Sequence, residues 1–228
     1  MKKIFVALDT NSLFKAKKII NLCKTSELKI GFKIGLQLFF LKGGRKFVSE
    51  VAKKYPVFLD LKISDISNTS KSAIKSLKDI KFDYITAHVN SGYKSLVAIK
   101  KESKKVNKNL KVLGVTVLTS LEQKSLQEIG YTKPVQKIVI KQAKLAKKAE
   151  LDGIICSGHE TKLVKKILKR MDIIVPGIRL DNDYNQDQKR VMTPKKAFEN
   201  GATAIVIGRS ITSGNIKKNI QKLINSLK

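Results

Sequence analysis

"FLDLKISDIS" (58–67) opens like a buried strand and closes in charge. Phe58, Leu59 and Leu61 are apolar, yet Asp60, Lys62 and Asp65 stand among them. Side chains alternate along a strand, so Asp60 and Lys62, two apart, point to one face. A charge beside a core costs roughly several kcal/mol unless it finds a partner. The segment therefore reads either as a structural ion pair or as a reacting site, and the sequence around it bears on the choice.

Outward from this strand, short apolar β-branched runs alternate with amphipathic lysine-rich stretches. The runs are 3–9, 28–35, 56–62, 82–89, 110–118, 152–157, 172–178 and 202–208. They are continuously apolar, as parallel strands covered on both faces are. Helical patterns lie between them, for example at 11–24, 67–79, 135–149 and 159–170. Eight β-then-α units in 228 residues predict an α/β fold, a single (β/α)8 TIM barrel over residues 1–228. A doubly wound open sheet is the alternative, but no GxGxxG follows the first strand. No linker or low-complexity tract divides the chain.

Barrel enzymes place their chemistry at the C-terminal strand ends. Here those ends carry Asp9, Lys33, Asp60 with Lys62 and Asp65, His88 with Asn90, Thr119 with Ser120, Ser157, Arg179, and Gly208 with Arg209. Each has an ordinary reading. Asp9 could cap the next helix, and Lys33 could lay its stem on apolar surface with its charge in water. His88 could be a satisfied barrel-end histidine, His159 part of a helix start, and Cys156 core packing. The convergence of polar groups on one end carries more than any single residue.

"IGRSIT" (207–212) suits an anion. Gly208 allows close backbone approach, a short helix opening at Ser210 offers free N–H groups, and Arg209 can fork onto a phosphate. "RLDNDYNQDQKR" (179–190) is a long polar connection and reads as a lid or a plain surface loop.

Forty-seven basic against 18 acidic residues give a net charge of +29. Only Arg45, Arg170, Arg179, Arg190 and Arg209 are arginine, the lysines are spread over the helical stretches, and there is no tryptophan. This pattern predicts a solvated basic surface and no specific nucleic-acid function. No apolar run approaches the roughly 20 residues of a membrane helix, so no membrane partner is expected. The apolar run in "MKKIFVALD" is too short for a signal peptide. Two cysteines without metal-like spacing suit a reduced, cytoplasmic setting.

These residues together resemble the orotidine 5′-phosphate decarboxylases. "FLDLKISDISNT" (58–69) is similar to the family's D-x-K-x-x-D-I segment. "VALD" (6–9), "FKIG" (32–35), "VTVLTS" (115–120), "LDGIICS" (151–157), "PGIR" (176–179), "DQKRVMTP" (187–194) and "IGRSIT" (207–212) follow in the family's order. The resemblance implies cofactor-free conversion of orotidine 5′-phosphate to uridine 5′-phosphate. It implies that Lys62 protonates C6 within a Lys33, Asp60, Lys62 and Asp65 charge network. Asp65 would reach the neighbouring subunit's site, so a homodimer is implied. Asp9, Lys33 and Thr69 would hold the ribose, and Thr119 and Ser120 would lie near the pyrimidine. Gln188, Gly208 and Arg209 would bind phosphate, with Arg179 at the ligand. Ser64 and Ser67 stand where the family often has His and Pro, and "HVNSG" (88–92) where it has "HASGG". The nearest rival is a metal-dependent sugar-phosphate enzyme of the same superfamily.

Overall fold

A computed structural model describes residues 2–180 and 190–228. Eight parallel strands close into a barrel in chain order, with β8 returning to pair with β1. They are β1 (Lys3–Ala7), β2 (Lys29–Gly35), β3 (Val57–Ile63), β4 (Tyr84–His88), β5 (Lys111–Val115), β6 (Gly153–Ile155), β7 (Asp172–Val175) and β8 (Ala204–Ile207). The helices are α1 (Leu13–Leu22), α2 (Leu36–Phe39), α3 (Gly44–Ala52), α4 (Ser67–Lys75), α5 (Gly92–Val106) and α6 (Gln123–Glu128). They continue with α7 (Val135–Lys148), α8 (Gly158–Ile167), α9 (Pro194–Glu199), α10 (Arg209–Thr212) and α11 (Ile216–Leu227). Closure of the sheet rules out the doubly wound alternative.

Local chemistry sets the helix starts. Ser12 caps α1 by accepting from the Lys15 N–H, and Asn215 caps α11 by accepting from the Lys218 N–H. Thr193 caps α9, with Pro194 in the first turn where its missing N–H costs nothing. On α11, Ile216, Ile220, Leu223 and Ile224 form one buried stripe, and its lysines lie elsewhere on the helix. Among the described residues no helix is long and apolar enough to cross a membrane.

Several strands stop short of the apolar runs that announced them. β1 ends at Ala7 rather than residue 9, β5 at Val115 rather than 118, β6 at Ile155 rather than 157, and β7 at Val175 rather than 178. The chain leaves the ladder where the barrel opens. Pro176 has no N–H to continue β7. At Thr116 both the amide and the hydroxyl donate to the Ile155 carbonyl, at 3.1 and 2.8 Å.

Two apolar layers result. Ile4, Val6, Phe32, Ile34, Leu59 and Ile85 face outward and pack with helix residues such as Ile20, Val48, Ile74 and Leu96. Phe5, Ala7, Phe58, Tyr84, Leu113, Ile174, Ala204 and Val206 fill the barrel. Phe5 stands edge-on to Phe58 at 5.5 Å and to Tyr84 at 5.4 Å. Gly31 makes room for this plug: a Cβ there would lie 2.8 Å from the Phe5 ring and 2.7 Å from the Pro56 carbonyl oxygen. The plug forms the floor on which the opposite end of the barrel is built. Replacing Phe5 by Ala should therefore lower stability by about 3–5 kcal/mol in urea denaturation, through lost burial and an unfilled cavity. An unchanged midpoint would show that the plug is not a structural floor.

Candidate active site

The cavity at the C-terminal end of the barrel measures about 430 Å³ and lies above Phe58. Asp9, Lys33, Asp60, Lys62, Thr119, Arg179, Gly208 and Arg209 all line it. Eight of the twelve residues to which the resemblance assigns a site role therefore meet in one place, drawn from six strand ends.

Asp60 is the centre of this group, buried at 6% exposure. Its Oδ2 accepts from the Lys62 ammonium at 2.8 Å and lies 3.5 Å from the Lys33 ammonium. Lys33 also donates to Asp9 Oδ1 at 3.0 Å. So Asp9 is not a helix cap, since Ser12 performs that role, and Lys33 holds its charge between two carboxylates rather than in open water. Burial pushes the Asp60 carboxyl up, but Lys33, Lys62 and two hydrogen bonds outweigh it and hold it below the usual carboxylate range. Burial likewise pulls Lys33 down, and Asp60 with Asp9 reverses this, leaving it above the usual lysine value.

β3 reaches this geometry by an irregularity. It pairs with β4 at Leu59↔Ile85 and next at Ile63↔Ala87, four residues against two. Inside that bulge Lys62 has φ +50°, a left-handed conformation uncommon outside glycine. Its amide donates to Thr86 Oγ1 at 2.8 Å, and the Thr86 hydroxyl is 2.9 Å from Asp60 Oδ1. Thr86 is fully buried on β4. In the sequence this role is invisible, because a β-branched residue inside "DYITAHV" looks like ordinary strand. His88, on the same strand face, is half-buried; burial first and then Lys62 push its pKa down, which favours the neutral ring.

Four candidates stand apart. Asp65, Thr69 and Ser120 are exposed and do not line the cavity of their own chain. Gln188 lies outside the described residues, as does most of the suggested 179–190 lid. Asp65 sits in a firmly held turn. Its carboxylate accepts from the Ile66 N–H at 2.7 Å, and its carbonyl accepts from Ser70 and Ser95 hydroxyls, both at 3.0 Å. Ser64 and Ser91 add a hydroxyl contact at 3.4 Å. Cys156 lines the cavity but is buried, with its thiol pushed up to about 12 by burial. His159 belongs to the first turn of α8.

The cavity's far wall depends on a residue the sequence did not single out. Arg190 pairs with buried Glu160 of α8 at 2.8 Å and donates to the Leu118 carbonyl at 3.1 Å. Near it, the Arg179 N–H donates to the Met192 carbonyl, and the Met192 N–H to the Gly177 carbonyl. α10 begins at Arg209 rather than Ser210, with Gly208 as its N-cap.

The family model for the orotidine 5′-phosphate decarboxylase / HUMPS family matches residues 2–222. The chain belongs to this family. It is 42% identical over 230 residues to an orotidine 5′-phosphate decarboxylase from the Wolbachia of Brugia malayi, covering 98% of each chain. It is 39% identical to one from Carboxydothermus hydrogenoformans, covering 95% of this chain and 92% of the relative. The crystal structure of the Lactobacillus acidophilus family member superposes with a TM-score of 0.85 at 28% identity, over all of both chains.

The family's D-x-K strand thus holds, in this chain, a carboxylate stabilised by its ionised form's partners. Because the folded Asp60 carboxyl lies below its ordinary value, its contribution is complete above that value and is lost as pH falls through the folded one. Asp60→Asn should cost about 3 kcal/mol near pH 7, since it leaves two ammonium groups facing each other. Urea titrations should show that deficit constant from about pH 5 to 8 and shrinking below about pH 4. A deficit independent of acid pH would mean that Asp60 is not held as a carboxylate.

Proposed function

We propose that this chain converts orotidine 5′-phosphate to uridine 5′-phosphate and CO2 without a cofactor. The observation that carries the reading is the Lys33–Asp60–Lys62 array at the barrel mouth, with Gly208 and Arg209 lining the same cavity. Loss of CO2 breaks the C6–carboxylate bond and leaves the electron pair on C6. The Lys62 ammonium stabilises that charge and then delivers a proton to C6. Asp60 holds the ammonium in place by accepting its hydrogen bond at 2.8 Å and stands against the departing carboxylate. Asp9 and Lys33 hold the ribose, Thr119 lies near the pyrimidine, Gly208, Arg209 and Gln188 hold the phosphate, and Arg179 sits at the ligand. Phosphate is remote from the broken bond, so its binding energy orients the ring.

The donor set favours this over the metal-dependent rival. Both Asp60 oxygens already accept hydrogen bonds, and two ammonium groups beside them oppose a divalent cation. A cytoplasmic setting goes with the reading, and Cys23 and Cys156 are both free and buried.

The active unit is a homodimer in which Asp65 and Thr69 complete the neighbour's site. Support comes from their exposure, and from the exposed apolar side chains of Ile66 and Tyr93 on the same side of the barrel.

Purified protein should consume orotidine 5′-phosphate, followed by its absorbance, at a rate that EDTA does not change. Lys62→Ala should reduce kcat by at least about 10³-fold while leaving the fold intact. Near-normal turnover in that variant would overturn the role of Lys62. Mixing Lys62→Ala with Asp65→Ala, each inactive alone, should restore activity by forming one intact site per mixed dimer. No recovery after subunit exchange would refute the shared site.

A further inference from the structure

The β3 bulge creates two needs that one atom meets. Between Leu59 and Ile63 the strand carries two more residues than its partner, so the Lys62 amide has left the regular ladder. It donates instead to Thr86 Oγ1 at 2.8 Å. A backbone N–H can only donate, so it takes a lone pair of that oxygen. The hydroxyl's one hydrogen is then left for Asp60 Oδ1, 2.9 Å away. Asp60 must accept there, and its other oxygen accepts from Lys62. The hydrogen-bond directions are therefore fixed around a fully ionised carboxylate.

We propose that Thr86 is a positioning residue for the reaction. Its hydroxyl ties the left-handed Lys62 backbone to the Asp60 carboxylate, and so sets the ammonium against the carboxylate before substrate arrives. This rests on the decarboxylase reading for its consequence in turnover, though not for its geometry. Thr86 lies beneath the charged pair, with no surface of its own in the cavity lining, so it acts through Lys62 and Asp60 and not on the ligand. Without it, a lysine held at φ +50° has no anchor at its amide, and relaxation of the bulge moves the ammonium.

Thr86→Val keeps the shape and removes both hydrogen bonds, whereas Thr86→Ser keeps both. The valine variant should lose about 10- to 100-fold in kcat, because a small misplacement of the reacting group is costly. KM should change little and the affinity for uridine 5′-phosphate should hold, since no ligand contact is removed. The acid limb of kcat/KM should move to higher pH, because Asp60 loses a donor to its ionised form. The charged or titratable groups that face Asp60 remain in place: Asp9 after β1, Lys33 on β2, Lys62 on β3, His88 on β4, and Arg179 and Arg209 at the cavity wall. The serine variant should restore both kcat and the limb.

Carbon-13 NMR of the Asp60 carboxyl supplies a readout independent of turnover. Its titration midpoint should rise in Thr86→Val and not in Thr86→Ser. If wild type titrates as expected yet leaves orotidine 5′-phosphate untouched, the decarboxylase reading fails and the positioning of Asp60 stands. If Thr86→Val matches wild type in kcat and midpoint, or Thr86→Ser is as impaired as the valine, the inference is overturned. Should the valine variant not fold, Thr86→Cys decides the same question: its weak hydrogen bonding should reproduce the loss, and wild-type behaviour in it overturns the proposal.

Discussion

A carboxylate at 6% exposure between two ammonium groups is the constraint around which the mouth of this barrel is arranged. Removing the Asp60 carboxylate and the Lys33 ammonium from water is costly, and only close pairing with complete hydrogen bonding offsets it. The surrounding features answer to that need. Lys33 arrives from β2 and is steadied by Asp9 from β1. Lys62 arrives from the same strand as Asp60, inside the β3 bulge, and a left-handed residue there costs of order 1–3 kcal/mol. The aromatic plug of Phe5, Phe58 and Tyr84 closes the barrel beneath. An apolar floor keeps water from that side and strengthens each interaction above it.

What the sequence disclosed follows from which signals are local. Strands buried on both faces read as apolar runs, so all eight were visible, in order. Their ends were not, because Val117 and Leu118 remain apolar after the chain has left the ladder at Val115 to line the cavity. Asp60 and Lys62 were visible as a pair through simple alternation, although Lys62 is not in a regular strand conformation. A left-handed lysine has no sequence signature; side-chain propensity would argue against it. Thr86 was hidden because its meaning lies in two partners on another strand. Arg190 was hidden for a similar reason, its partner Glu160 being thirty residues away. Asp65, Thr69 and Ser120 carried the same motif-level signal as the others, yet they lie outside their own chain's cavity.

The charge surplus and the site are separable. The lysines that give +29 lie mostly on solvent-facing helix surfaces, while those that matter at the mouth are engaged by carboxylates. Far from the site, Lys100 and Lys111 are tied to Asp152 and Asp172 at 2.6 and 2.7 Å, serving the connections between strands. A net positive field still raises the local concentration of any anionic ligand, and it does so less as salt rises.

The seam between β1 and β8 joins Lys3 to Ala204 and Val6 to Ile207. A growing chain makes β1 first and β8 last. At roughly 5–20 residues per second, the outer edge of β1 waits on the order of 10–40 s for the strand that covers it. During that time an unpaired apolar edge is presented on the ribosome, a template for pairing with other chains. Barrel closure is thus an event of late synthesis, and the period of greatest exposure to aggregation precedes it.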